Sequence, residues 1–342
     1  MKAFKPSVDN LHLKNTMVYG ATGTGKTTII HDALHALKDK IPTIVIFSST
    51  AKLNGAYDGI APGFLVHDII DIKKLEDIID TQEKKVKIYN NSKDLDRLHT
   101  LFTKVANSND RMIDKQIKEL SATAYADINM SQLPISTKKQ ERARLKNLVS
   151  DRLEQLYKKC IRKHRSLLLK MKINQDDKLV IKFLDMNPNL LIVFDDVTAD
   201  FTKSFQHEKV IEKIYTQGRW LMITTAVGIH DDTKIDTSVR KGVHNSIFTT
   251  PNCATSFFNN KANSFTREDK LKFLERVNFI FNNQDNDMPK HTKLIYIRNP
   301  SDGSDDYVQS YLATEHDDFR FGATEYWEID ARISKKSLQF LH

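Results

Sequence analysis

The chain has 342 residues, 40% hydrophobic and 28% charged, with 11 Gly, 8 Pro and a formal net charge of +8. That length suits one decorated domain or a domain with an appendage, and the balance excludes collagen-like and disordered chains. The longest fully apolar run, Leu190–Phe194, is far shorter than the ~20 residues that span a bilayer, and MKAFKPSVDN lacks an apolar signal segment. Two cysteines, Cys160 and Cys253, supply neither a disulfide framework nor a four-ligand zinc site. The expectation is a soluble intracellular protein without a membrane partner.

Thr16–Tyr19 is the first of five short apolar, β-branched runs, followed by Thr43–Phe47, Leu190–Phe194, Trp220–Thr224 and Ser246–Thr249. Such runs, bounded by polar turns, fit strands covered on both faces. Helical patterns lie between them: Ile29, Ile30, Leu34 and Leu37 form one stripe, and Val210, Ile211, Ile214 and Tyr215 another. Alternating strands and helices predict an α/β fold with a mostly parallel sheet.

Directly after the first run, Gly20-Ala21-Thr22-Gly23-Thr24-Gly25-Lys26-Thr27 matches the phosphate-binding pattern G-x-x-x-x-G-K-[ST], and Thr28 follows it. Glycines let backbone N–H groups curl around phosphates with no Cβ in the way, and the next helix adds its positive end. In this pattern Lys26 reaches the β- and γ-phosphates, and Thr27 offers a hydroxyl to Mg²⁺.

The alternation stops between about Asp68 and Asn187, where the sequence is charged and helical. Leu145, Val149, Leu153, Leu156 and Cys160 recur at spacings of four, four, three and four, one face of an amphipathic helix. Cys160 lies on that face and is expected to be a packed thiol. The basic residues Arg142, Arg144, Arg152, Lys158, Lys159, Arg162 and Lys163 mostly fall off the stripe. From Lys138 to Lys172 thirteen Lys/Arg stand against three Asp/Glu, so this one stretch makes the chain basic. A concentrated basic element is the footprint of a polyanion partner, or a solvated helix face with none.

Leu190–Phe194 ends in Asp195-Asp196. An apolar strand ending in acid places Asp195 beside the loop, where it can hold Mg²⁺ through water. Asp196 then sits where a carboxylate can polarise the attacking water. Thr224 and Thr225 end the next strand and are candidates to sense the γ-phosphate. Arg219, just before that strand, and Arg240, just before the next, are candidates for an arginine offered across a subunit interface. His230, Asp231 and Asp232 show no metal-binding spacing. Near the C-terminus, Lys293–Arg298 and Tyr307–Leu312 flank a Pro- and Gly-containing turn cluster, which predicts a hairpin. Acids such as Asp302, Asp305, Asp306, Asp317 and Asp318 lie in loop-like sequence too short for a nuclease domain.

Together, GATGTGKTT, the IVIFSST strand, LLIVFDDV, GRWLMITT and the R-x-x-V-x-x-x-x-F element resemble the genome-packaging ATPases of large DNA viruses. This is the poxvirus, iridovirus and virophage type within the FtsK–HerA superfamily. The likeness covers residues 13–68 and 188–255. Where that family typically ends its sensor strand with Gln, this sequence has Thr225 or Ala226. The resemblance implies a P-loop NTPase of ASCE, RecA-like type, with a core at 1–68 and 188–255. A basic helical insertion is expected at 69–187 and an α+β appendage at 256–342. It further implies a motor driven by ATP and Mg²⁺ that packages double-stranded DNA as a homo-oligomeric ring. A capsid vertex or portal would be a partner, in the host-cell cytoplasm or the virion. The alternatives are a DNA helicase or translocase in replication or segregation, and a nucleotide-dependent switch that binds a protein.

Overall fold

The computed structural model describes residues 2–284, 288–299 and 307–339; the proposed turn acids Asp302, Asp305 and Asp306 lie outside them. The chain divides into two compact units, one formed by residues through Gln82 together with those from Pro188 onward, the other by Glu83–Asn187.

The first unit is α/β. Its strands are β1 (Asn15–Tyr19), β2 (Thr43–Ser48), β3 (Val66–His67), β4 (Leu190–Asp195), β5 (Ile223–Ile229), β6 (Asn245–Phe248), β7 (Lys293–Ile297) and β8 (Val308–Tyr311). They form one sheet in the order β3-β2-β4-β5-β1-β6-β7-β8. Strands β1 to β6 are parallel, while β7 runs antiparallel to β6 and β8 to β7. The expected hairpin is therefore present. Residues expected to start an appendage at 256 instead extend the core sheet and belong to the same unit.

Side-chain alternation explains why both faces are covered. Met17, Tyr19, Ile192 and Phe194 enter one apolar cluster, where Val210, Ile211 and Ile214 of helix Lys209–Gln217 meet them. Val18, Leu191 and Val193 enter the other, with Ile29, Ile30 and Leu34 of helix Lys26–Leu37. Burying each such side chain contributes about 1.5–3 kcal/mol. At the β8 edge the N-terminal segment partly closes the sheet: Phe4 N donates to Ser310 O at 2.7 Å, and Ser310 N to Lys2 O at 3.2 Å.

The second unit is helical, within the predicted strand-free interval. It starts at Glu83 rather than 69, because the first half of helix Ile72–Asn91 packs Leu75 and Ile79 into the core unit. It has its own apolar cluster, in which Leu98, Leu101 and Phe102 meet Leu153, Tyr157, Cys160 and Ile161. Asn107 and Asp110 form a reciprocal capping box at the start of helix Ser108–Met130. Cys160 is a packed thiol whose pKa burial pushes up. Along helix Ile135–Lys163, Arg142, Arg144, Arg152, Lys159 and Lys163 are exposed. Lys158 is buried in an ion pair with Glu154, and Arg162 forks onto Asp185 at 2.9 and 2.8 Å.

Candidate nucleotide-binding site

The site is assembled at the carboxyl edge of the parallel strands. β1 delivers the Gly20–Thr27 loop and β4, two strands away across β5, delivers Asp195. The fold is that of a P-loop NTPase: parallel strand, glycine loop, then a helix starting at Lys26. Gly25 caps that helix at φ 91° with no side-chain hydrogen bond, which leaves the first-turn N–H groups for a ligand. Gly20 is required by space, since a Cβ there would stand 1.8 Å from Thr249 Oγ1. Thr249 pins the loop by donating to Tyr19 O at 3.1 Å and sharing a 2.7 Å contact with Thr24 Oγ1.

Thr22, Gly23, Gly25, Lys26, Thr27 and Thr28 line one cleft of about 340 Å³ with Asp195 and Asp196. Ligand pockets commonly start near that size. The loop's own carbonyls hold Lys26, whose Nζ donates to Gly20 O at 2.9 Å and Ala21 O at 3.1 Å. Burial lowers the Lys26 pKa, with Asp196 and Asp195 opposing.

Asp195 is 2% exposed. Its Oδ2 accepts from Thr27 Oγ1 at 3.0 Å and from Tyr57 Oη at 2.9 Å, while its buried Oδ1 has no partner among the described residues. Burial raises its pKa; the Tyr57 and Thr27 hydroxyls pull it down, Asp196 adds to the rise and Lys26 opposes it. Gly228 of β5 makes the room: a Cβ there would meet Asp195 Oδ1 at 2.7 Å. A buried carboxylate oxygen without a donor, beside an alcohol and an ammonium group, fits a hydrated Mg²⁺ at the phosphate end of a nucleotide. Thr27 and Asp195 are the residues that would hold that ion.

Asp196 turns out of the strand in a left-handed conformation, φ 55°. His230 Nε2 lies 3.3 Å from Asp196 Oδ1 and 3.4 Å from Thr22 Oγ1. His230 and Tyr57 were both missed by sequence reasoning. A polar residue just beyond the β5 strand was the available signal for His230, but it depended on placing that strand correctly. Nothing in the sequence linked Tyr57 to Asp195.

Two expectations are corrected. Thr225 is not at the phosphate end of β5: it pairs in register with Asn15, the first residue of β1, and its Oγ1 donates to Asn15 Oδ1 at 2.9 Å. The strand starts at Ile223 and runs to Ile229, so His230 takes the position expected of Thr224 or Thr225. Arg240 is 3% exposed and closed in: its guanidinium donates to Asp232 Oδ2 at 2.7 Å, Ile235 O at 3.0 Å and the Asp232 carbonyl. A group so committed cannot be offered to another subunit. Arg219 is exposed before the amino end of β5, at the edge opposite the loop of its own chain.

No family model matches the chain. Uncharacterized protein B354L of African swine fever virus (isolate Pig/Kenya/KEN-50/1950) is 26% identical over 311 residues, spanning 87% of this chain and 80% of that protein. Among solved structures, the genome packaging NTPase B204 from Sulfolobus turreted icosahedral virus 2, in complex with ATP-gammaS, is similar at 11% identity. Its TM-score is 0.37, covering 90% of this chain and 98% of the other. The cytoplasmic domain of the Thermomonospora curvata type VII secretion ATPase EccC is similar at 11% identity and TM-score 0.35. That match covers 89% of this chain but only 26% of the EccC chain. Likeness at this level carries no functional assignment by itself.

Proposed function

We propose that the chain is a Mg²⁺-dependent ATPase that translocates double-stranded DNA, packaging a viral genome into a preformed capsid as a ring of identical copies. The observation that carries this reading is the cleft in which Lys26, the Thr27–Asp195 hydrogen bond and Asp196 converge on the phosphate loop. Lys26 exchanges its two loop carbonyls for the β- and γ-phosphates of ATP, and the uncapped helix start binds the rest of the phosphate chain. Thr27 and Asp195 would hold Mg²⁺, which when bound would supply charge neutralisation on the phosphates. Asp196 accepts the proton of the attacking water, and His230 orients its carboxylate.

The exposed cations of helix Ile135–Lys163 support a nucleic-acid partner. The African swine fever virus relatives support a viral setting, and the motif resemblance supports packaging at a capsid vertex or portal. No helix among the described residues is long and apolar enough to cross a membrane, which is compatible with action in the host-cell cytoplasm or the virion.

The test is ATP hydrolysis with and without long duplex DNA, with Lys26→Ala as the blank. The expected result is several-fold stimulation by duplex that is absent from the variant. Hydrolysis indifferent to DNA at every salt concentration would remove the motor and favour a nucleotide-dependent switch.

A further inference from the structure

The two longest helices of the helical unit, Ser108–Met130 and Ile135–Lys163, run antiparallel through the link 131–134. Near their shared end Tyr125 Oη donates to the Arg142 carbonyl at 3.5 Å and Lys138 Nζ to the Asn129 carbonyl at 2.8 Å. No residue from Lys118 to Leu148 enters an apolar cluster, so the far half of this hairpin stands clear of the unit's core. At its tip Met130 and Ile135 are 85% and 88% exposed, and Leu133 between them is exposed as well. Single exposed apolar residues are ordinary, but three at one protruding turn make a patch.

The backbone of the tip is prepared to lose water on one side and to meet an anion on the other. At the end of the first helix Ser131 N donates to Asp127 O at 3.0 Å and Ser131 Oγ to Ile128 O at 2.7 Å, while Lys138 holds Asn129 O. Carbonyls satisfied within the chain lower the cost of entering an apolar boundary. The second helix starts at Pro134 with no side-chain cap, which leaves its first-turn N–H groups for an outside acceptor. Behind the tip, Lys138, Lys139, Arg142, Arg144 and Lys146 outnumber Asp127 and Glu141. Lys139 and Arg142 are exposed and follow Ile135 by about 6 and 10 Å of helix.

We infer that the tip of this hairpin docks on an anionic lipid surface. Met130, Leu133 and Ile135 enter the acyl boundary, and the cations behind them meet the headgroup phosphates. The order matches the layering of a bilayer, whose apolar boundary lies roughly 5–10 Å beneath its charged face. A duplex groove fits this tip poorly. Two packed helices with axes 8–10 Å apart span roughly 20 Å, and even the major groove is only about 12 Å wide. No helix among the described residues is long and apolar enough to cross a membrane, so the contact is peripheral. The inference is independent of the nucleotide site.

The full chain is sedimented with vesicles of phosphatidylcholine, with and without phosphatidylserine, over a range of salt. Wild type is expected to bind the phosphatidylserine vesicles and to leave the others in suspension. Met130→Ser/Leu133→Ser/Ile135→Ser should bind them at least ~10-fold more weakly, with melting and ATP hydrolysis as in wild type. If that variant melts early, Ile135→Ser alone is read, with an expected loss of ~5-fold. Lys139→Glu/Arg142→Glu should lose ~10-fold or more at low salt, a deficit that shrinks as salt rises. A wild-type chain that binds no phosphatidylserine vesicles at the lowest salt overturns the inference. So does vesicle binding that the serine variant keeps in full, which would be adsorption by charge alone. Duplex binding lost in the serine variant with vesicle binding intact assigns the tip to DNA and overturns it. Lipid-free self-association that disappears in that variant assigns the tip to a second copy and overturns it equally.

Discussion

Asp195 and Asp232 are each 2% exposed, yet their surroundings differ in kind. Around Asp232 nearly every valence is closed: Arg240 donates to it, Ser256 Oγ donates to Oδ1 at 3.1 Å and Asn260 Nδ2 to Oδ2 at 3.0 Å. Around Asp195 two hydroxyls crowd one oxygen and the other has no donor among the described residues. Lys26, the nearby cation, is tied only to two carbonyls of a glycine loop. Apart from Arg240 Nε, which is buried without a partner among the described residues, the Arg240–Asp232 pair is satisfied within the chain, whereas the Asp195 site leaves a carboxylate oxygen for what it binds. Sequence position alone did not separate them, since Arg240 and Asp195 both sit next to strands and both have the right chemistry.

Substitutions sharpen that contrast, and the largest effect belongs to the open site. Asp196→Asn is expected to lower ATP hydrolysis by about 10²–10⁴-fold, the range for a lost catalytic proton acceptor, and Lys26→Ala, which removes the cation from the phosphates, to abolish it, both with melting temperatures close to wild type. At the closed site the effect moves from rate to stability. Arg240→Met strands Asp232 and is expected to cost about 3–5 kcal/mol in denaturant melts. Hydrolysis per folded molecule should persist; a normal melt with lost turnover would return Arg240 to catalysis.

The next pair divides β5 in the same way. His230→Ala is expected to reduce kcat by ~10-fold through a hydrogen bond to a charged group while leaving the melt alone. Thr225→Val should instead cost about 1 kcal/mol of stability and leave kcat unchanged. The smallest effect is Tyr57→Phe. Burial already raises the Asp195 pKa and the Tyr57 hydroxyl opposes that rise, so removing the hydroxyl raises it further. Asp195 must be ionised to hold Mg²⁺, so the acid limb of the pH–rate profile should move to higher pH. A limb that stays put would detach Tyr57 from the site.

The phosphate loop and Asp195 were legible because their chemistry follows from contiguous residues: a strand, glycines and a lysine, or an apolar strand ending in acid. The end of β5 was not. Trp220–Met222 is apolar and reads as strand, but Trp220 is 77% exposed and Met222 has φ 54°, so these residues form the turn into the strand. Gly228 reads as an interruption, yet it lies inside the strand because Asp195 Oδ1 occupies the space of its missing Cβ. The five-residue shift moved attention from His230 to Thr225. Tyr57 and Asp195 are 138 residues apart, and no local pattern encodes such a contact. The start of the helical unit was misplaced for a related reason: helix Ile72–Asn91 has one periodicity but crosses the boundary between the two units, and only its first half sends residues, Leu75 and Ile79, into the core cluster.

The margins of the sheet limit how copies of this chain can associate. On one side the last strand, β3, offers only two residues. On the other, Lys2–Phe4 already occupies part of the outer rim of β8. Strand addition between neighbours needs a long unpaired backbone rim, and among the described residues neither border strand supplies one. Association of copies through a continuous backbone ladder is therefore disfavoured at both borders, which leaves side-chain surfaces as the means of contact.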